Sequence, residues 1–307
     1  MGDPSGIGPE IIVKALNSKR IKGLADFSII GDAFVFSQLS ALSSQLSTSR
    51  FIDLKNVPRK NFKFGKVRAE YGRASWEYLE KALELIKAKK ADCLVTCPIN
   101  KEALKLAGCD YRGHTEYIAR CFGVNDEVMM LFNDKLKVSL VTQHIPLKDV
   151  PVFLNREKVF KAISVTNKGL AGLFKINHPK IAVCGLNPHA SDNGAIGREE
   201  KQIIIPAIKK AKAKGILVSG PYPADTLFLK AEEFDCVIAM YHDQGLIPLK
   251  LIGFKDAVNI TLGLPFARTS TAHGTAFDIA GNNIASAASL IQAIKTAIQC
   301  AQNLRKA

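Results

Sequence analysis

An α/β fold with a mainly parallel central sheet and flanking helices is what this sequence predicts. Short apolar runs alternate with amphipathic stretches of helical spacing along most of the chain. The length, 307 residues with 47% hydrophobic side chains, is enough for one large or two ordinary globular domains. Taken in order, Ser28-Ile29-Ile30 reads as a strand. Leu39, Leu42 and Leu46 keep helical spacing within a Ser-rich stretch, 37–49. A long helix is predicted over 68–90, with Trp76, Leu79, Leu83 and Ile86 on one face. Strands follow at 92–96 and 138–142, then a helix over 155–175 with Asn155 placed to cap it. A strand at 180–184 leads to a helix over 198–214, closed by Gly215. The strand at 236–240 and the helix at 286–305 complete the pattern, with no repeat of fixed period and no obvious linker.

Composition narrows the function. The mix of 47% hydrophobic and 23% charged residues excludes a disordered, collagen-like or disulfide-scaffold chain. No apolar stretch approaches the ~20 residues that span a bilayer, so no membrane partner is expected. Met1-Gly2-Asp3-Pro4 lacks the basic and apolar regions of a signal peptide, so a cytoplasmic location is expected. Seven cysteines without CxxC spacing fit reduced thiols in a reducing compartment. The net charge of +14 raises nucleic acid as a partner. Its lysines, however, sit on helix-like stretches (Lys87, Lys89 and Lys90; Lys209, Lys210, Lys212 and Lys214), as solvated helix faces do. With one Trp and no aromatic-interleaved basic motif, no nucleic-acid partner is expected, and the basic excess suits anionic small molecules.

Three histidines share one local context. His144, His189 and His242 each follow an apolar strand and precede a turn. Parallel strands present their carboxyl ends along one edge of a sheet, where ligands bind, so distant imidazoles can converge there. Three such rings with an open position make a catalytic metal arrangement. Imidazole suits Zn, Co, Ni or Fe, whereas Mg prefers oxygen. The alternative is three separate rings satisfied by loop hydrogen bonds.

Several segments suit anions. Gly2-Asp3-Pro4-Ser5-Gly6-Ile7-Gly8-Pro9-Glu10 leads into an apolar helix whose exposed first amides could hold an anion, or it is simply a helix start. Thr96-Cys97-Pro98-Ile99-Asn100-Lys101 follows a strand and opens a helix. In Gly113-His114-Thr115-Glu116, Thr115 is the expected cap and His114 a substrate contact. Asn187-Pro188-His189 runs into a stretch dense in turn formers. Lys250, Asn259 and Arg268 follow His242 and include two phosphate-binding residue types, Arg and Lys. His273-Gly274-Thr275-Ala276-Phe277-Asp278 is a small-residue loop in which Gly274 and Ala276 would let a flat ring approach the backbone.

Taken together and in order, the Gly2–Glu10 segment, Gly113-His114-Thr115-Glu116, Asn187-Pro188-His189-Ala190, Pro223-Ala224-Asp225-Thr226, Tyr241-His242-Asp243-Gln244-Gly245 and His273-Gly274-Thr275-Ala276 resemble the 4-hydroxythreonine-4-phosphate dehydrogenase family of pyridoxal-phosphate biosynthesis over nearly the whole chain. The His273 loop also resembles the adenosine-binding loop of isocitrate and isopropylmalate dehydrogenases. The resemblance implies their two-domain fold, here 1–125 plus 262–307 and 126–261. It implies NAD or NADP, with His273, Gly274, Thr275, Ala276 and Asp278 at the cofactor. It implies one divalent ion (Zn, Co or Mg) on His144, His189 and His242. A phosphorylated substrate would be bound by His114, Thr115, Lys250, Asn259 and Arg268, with Asp225, Asp243 and Lys250 as candidate bases. The product would be a β-keto acid that loses CO2. The family is a homodimer with the active site at the interface. A paralogue acting on a phosphorylated threonate or erythronate would use the same sites. A phosphate acyltransferase would need the anion sites but not the histidines.

The sequence departs from the family pattern twice. Met1 stands where a short apolar strand usually precedes Gly-Asp-Pro, and Ala190-Ser191-Asp192 replaces the usual Ala-Gly-Glu.

Overall fold

The computed structural model describes residues 1–39, 50–109, 113–253 and 256–306. The strands are β1 (Ser28–Gly31), β2 (Arg50–Asp53), β3 (Cys93–Thr96), β4 (Val128–Phe132), β5 (Lys137–Leu140), β6 (Ile181–Cys184), β7 (Val218–Tyr222), β8 (Cys236–Ala239), β9 (Val258–Leu262) and β10 (Ala267–Thr271). The helices are α1 (Gly8–Leu16), α2 (Ala33–Ser37), α3 (Ala69–Lys87), α4 (Lys101–Leu106), α5 (His114–Cys121), α6 (Val150–Phe153), α7 (Arg156–Leu173), α8 (Ile205–Lys212), α9 (Ala224–Leu227), α10 (His242–Gly253) and α11 (Ala288–Arg305). The chain divides into two compact units, Met1–Gly123 with Phe266–Ala301 and Val124–Pro265 with Gln302–Ala307.

In the first unit β1 pairs with β2, and β3 with β10, both in parallel. Ile7, Ile11, Ile21, Leu290 and Ile291 form one apolar cluster, and Tyr71, Ala74, Tyr78 and Val35 another. The helix predicted over 68–90 is α3, which buries Leu79, Leu83 and Ile86. Trp76 is only half-buried and lies 4.2 Å, centroid to centroid, from the Tyr117 ring. Of the helical spacing read at Leu39, Leu42 and Leu46, only Leu39 lies within the described residues; it is buried.

The second unit carries the strand order β9-β4-β5-β8-β6-β7. The run β5-β8-β6-β7 is parallel, and β4 is antiparallel to both β5 and β9. Every residue of β4, β6 and β8 is buried, as strands covered on both faces must be. Asn155 caps α7 by accepting from the Lys158 amide at 2.9 Å, as the sequence indicates. The helix expected over 198–214 opens instead with a π-helical turn at Glu200–Ile204 before α8. Among the described residues, no helix is long and apolar enough to cross a membrane.

Candidate active site

The three histidines lie just past three neighbouring parallel strands, β5, β8 and β6. Pairing between β5 and β8 runs on beyond the strands: the Val141 and Thr142 amides donate to Ala239 and Met240, and the Thr142 hydroxyl donates to Met240 O at 2.7 Å. Gln244 fastens the next pair, accepting from the Met240 amide and donating to Gly185 O, both at 2.7 Å. These bonds fix the strand ends against one another. They leave the His144 and His242 rings with centroids 5.7 Å apart and planes inclined by 44°.

His242 opens α10 rather than preceding a turn, because Asp243 and the residues after it continue helically from the strand end. Its Nδ1 lies 2.6 Å from Asp243 Oδ1. With Nδ1–H donated to that carboxylate, the ring keeps its Nε2 lone pair for a ligand, the usual arrangement behind a metal-bound imidazole. The exposed Asp243 therefore has a partner of its own at the site. His189 lies beyond β6 in an exposed turn with φ of 53°. Among the described residues of a single chain, no group of three or more His, Cys, Asp or Glu side chains could hold a metal ion. One chain thus brings two of the three imidazoles together. Their donor chemistry fits a divalent ion: bonds of ~2.1 Å at tetrahedral angles put two ring centroids roughly 5 Å apart.

Lys250 is exposed on α10 and Asn259 is half-buried on β9, with its Oδ1 buried and without a hydrogen-bond partner. Asp225 is exposed in the short helix α9 beyond β7. Arg268 does not share their unit; it stands on β10 of the first unit.

There Arg268 is 3% exposed, donating from Nη2 to Thr96 Oγ1 at 2.7 Å and from Nη1 to Thr115 Oγ1 at 3.3 Å. Burial lowers its pKa to about 10, so it stays cationic at neutral pH. His114 is buried beside it. Desolvation first, and the Arg268 charge second, push its pKa well below the ordinary value, so the ring is neutral at pH 7. Thr115 is not the cap of α5. The helix begins at His114 after an extended Gly113, and the hydroxyl is engaged by Arg268 instead. A neutral imidazole, a hydroxyl and a buried guanidinium together suit an anion with several oxygens.

The Gly2–Glu10 segment leads into α1, which starts at Gly8. Residues 2–9 are buried, and main-chain amides ahead of the helix are engaged: Asp3 N donates to Pro98 O, Gly6 N to Asp3 O and Ile7 N to Thr275 O. Glu10, 1% exposed, pairs with Lys14 at 2.8 Å and accepts from the Ala285 amide. The segment thereby supports the His273 loop. In that loop Ala276 has φ of 43°, Gly274 and Asp278 are exposed, and open space surrounds the position of a Gly274 Cβ. His273 Nδ1 lies 3.1 Å from Gly274 O, while Nε2 is buried without a hydrogen-bond partner. A nucleotide base fits such a place, since it offers both a donor and a flat face.

Gln244 and Asp3 stand within motifs named from the sequence but carry no individual role there, and Glu200 stands outside those motifs. Each acts through contacts with main-chain groups, and for Glu200 the sequence signal is the density of turn formers around Asn187.

The profile of the family described as "Pyridoxal phosphate biosynthetic protein PdxA" matches residues 12–297. A 4-hydroxythreonine-4-phosphate dehydrogenase from Sulfurihydrogenibium sp. (strain YO3AOP1) is 45% identical, over 97% of this chain and 96% of its own. A D-threonate 4-phosphate dehydrogenase from Salmonella typhimurium is 44% identical, over 98% and 97%. The crystal structure of a 4-hydroxythreonine-4-phosphate dehydrogenase from Klebsiella pneumoniae, 41% identical, superposes with a TM-score of 0.87 over 98% of this chain and 96% of that one.

Proposed function

Because the chain belongs to the PdxA family of pyridoxal phosphate biosynthetic proteins and is a dehydrogenase, we propose that it oxidises 4-phosphooxy-L-threonine with NAD+ or NADP+ in pyridoxal 5'-phosphate biosynthesis. The secondary alcohol becomes a ketone, and the resulting β-keto acid loses CO2 to give 3-amino-2-oxopropyl phosphate. The pair of imidazoles past β5 and β8, with Asp243 behind one of them, carries this reading.

His144 and His242 hold one divalent ion (Zn, Co or Mg), and His189 completes the set. Because one chain gathers only two of these rings, a second copy is the source of the third, in a homodimer. Exposed apolar side chains on the same unit suit such an assembly: Val152 at 80% and Leu251 at 82%, with Phe153, Ile247 and Ile252 beside them in sequence. When bound, the ion supplies Lewis-acid stabilisation of the alkoxide and enolate charge, and the nicotinamide supplies the hydride acceptor. Asp243 keeps the His242 tautomer that leaves Nε2 to the ion. Arg268, Thr115 and neutral His114 bind phosphate oxygens, and Lys250 and Asn259 are further substrate contacts. Phosphate binding remote from the reacting carbon holds the alcohol in place for hydride transfer. The substrate hydroxyl proton passes to one of Asp225, Asp243 and Lys250. His273, Gly274, Thr275, Ala276 and Asp278 form the bed of the cofactor.

The 44% identical relative favours a second reading, D-threonate 4-phosphate as substrate. The two substrates differ at one carbon, ammonium against hydroxyl. NAD(P)H formation, followed side by side with 4-phosphooxy-L-threonine, D-threonate 4-phosphate and D-erythronate 4-phosphate, separates them. The proposal expects kcat/KM for the amino acid to exceed the others by on the order of 100-fold or more, the scale on which polar groups are discriminated. A higher kcat/KM for D-threonate 4-phosphate would replace it with the second reading.

A further inference from the structure

The turn that carries His189 is built in an unusual way. His189, Ala190, Ser191, Asp192 and Asn193 have φ of 53°, 51°, 72°, 44° and 56°, so five consecutive non-glycine residues are left-handed. Each adopts that conformation at a cost, and such runs persist only where the surroundings enforce them. Here the enforcement is visible. Glu200, 1% exposed, takes the Leu186 and Asn187 amides on Oε1, each at 2.8 Å. Its Oε2 accepts from Asn187 Nδ2 at 2.9 Å, and the same amide group donates to Glu199 Oε2 at 2.8 Å. The Asn187 carbonyl then accepts from the Ala190 amide at 3.1 Å, tying the clip to the first left-handed residues.

The main chain makes room for this clip. A Cβ at Gly185 would lie 2.8 Å from Ala190 Cα, and one at Gly197, where φ is 83°, 2.5 Å from Asn187 Nδ2. Glu200 itself opens a π-helical turn, which offsets it from the register of an ordinary helix.

We infer that Glu200 and Asn187 are positioning residues for His189: they hold the left-handed turn so that its imidazole is presented as a metal ligand. This rests on His189 being a ligand. A preformed turn spares ion binding the cost of ordering that loop, so loosening the clip weakens the ion without removing a donor atom.

The test is titration of Co2+ alone into metal-stripped protein, read by visible absorption, with thermal unfolding of the metal-free protein as a control. Asn187→Ala leaves both main-chain bonds to Glu200 in place and should fold, so it backs up Glu200→Ala. Both variants should bind Co2+ roughly 10–100-fold more weakly, the scale seen for partners behind metal ligands. Glu200→Gln, whose amide oxygen still accepts the two main-chain N–H groups, should recover part of the loss. Unchanged Co2+ affinity in Asn187→Ala and Glu200→Gln, with His189→Ala weakened, would overturn the inference while sparing the ligand. Unchanged affinity in His189→Ala would overturn the ligand assignment itself.

Discussion

Asp3 holds a carboxylate where water does not reach. It is 0% exposed, Oδ1 accepts from the Ser5 amide at 2.8 Å, and Oδ2 has no hydrogen-bond partner. Burial raises its pKa from 3.8 to about 6. The folded state therefore prefers the protonated acid. The destabilisation is complete above about pH 6 and shrinks as the pH falls from there towards 3.8. Asp3→Asn keeps the acceptor for Ser5 and removes the charge. Between pH 7.5 and 5 the wild type should gain roughly 1 kcal/mol on this variant, measured by urea unfolding at both values. A gap that is constant, or that moves the other way, contradicts the assignment. Such residues also mark the limit of sequence reading. The histidines could be picked out because each follows a strand, but Asp3, Gln244 and Glu200 act on main-chain groups brought close only by folding. Thr115 has the residue type of a cap but is engaged by buried Arg268, a partner distant in sequence that local pattern does not reveal.

At the scale of elements, long periodic stretches were the most legible. The spacing of Leu79, Leu83 and Ile86 found α3, and Asn155 marked the start of α7. Strand β4, Val128–Phe132, is missing from the sequence reading although it is as apolar as β6 and β8, which are in it; β4 runs antiparallel to β5 and β9, outside the alternation of parallel strands and helices that marks the others. Helix α10 matters most for the site, since it carries both His242 and Lys250. It packs on β5 and β8 through Gly245, where a Cβ would collide with Val138 Cγ1 and lie 2.9 Å from Ala239 Cβ. Gly245→Ala should cost ~1–3 kcal/mol, overpacking outweighing the better helix propensity of alanine. Denaturant unfolding checks this, and a variant as stable as the wild type would mean that α10 is free to shift outward.

For the whole molecule, the +14 charge is partly spent on local partners. Lys210 pairs with Glu157 at 2.7 Å and lies 4.4 Å from the Phe160 ring centroid, and Lys87 sits over Phe122. This is how solvated helix faces use lysine. The proposed ion site calls for three imidazoles, and His144 and His242 are the two whose rings lie close together in one chain. If a second copy supplies His189, two defective chains can repair one another. His189→Ala and His242→Ala chains, each inactive alone, are mixed, unfolded and refolded together, and NAD(P)H formation is measured. Random pairing makes half the dimers mixed, each with one complete site of two, so about a quarter of wild-type activity should return. Activity that stays at the level of the separate variants would place all three ligands on one chain and contradict the shared site.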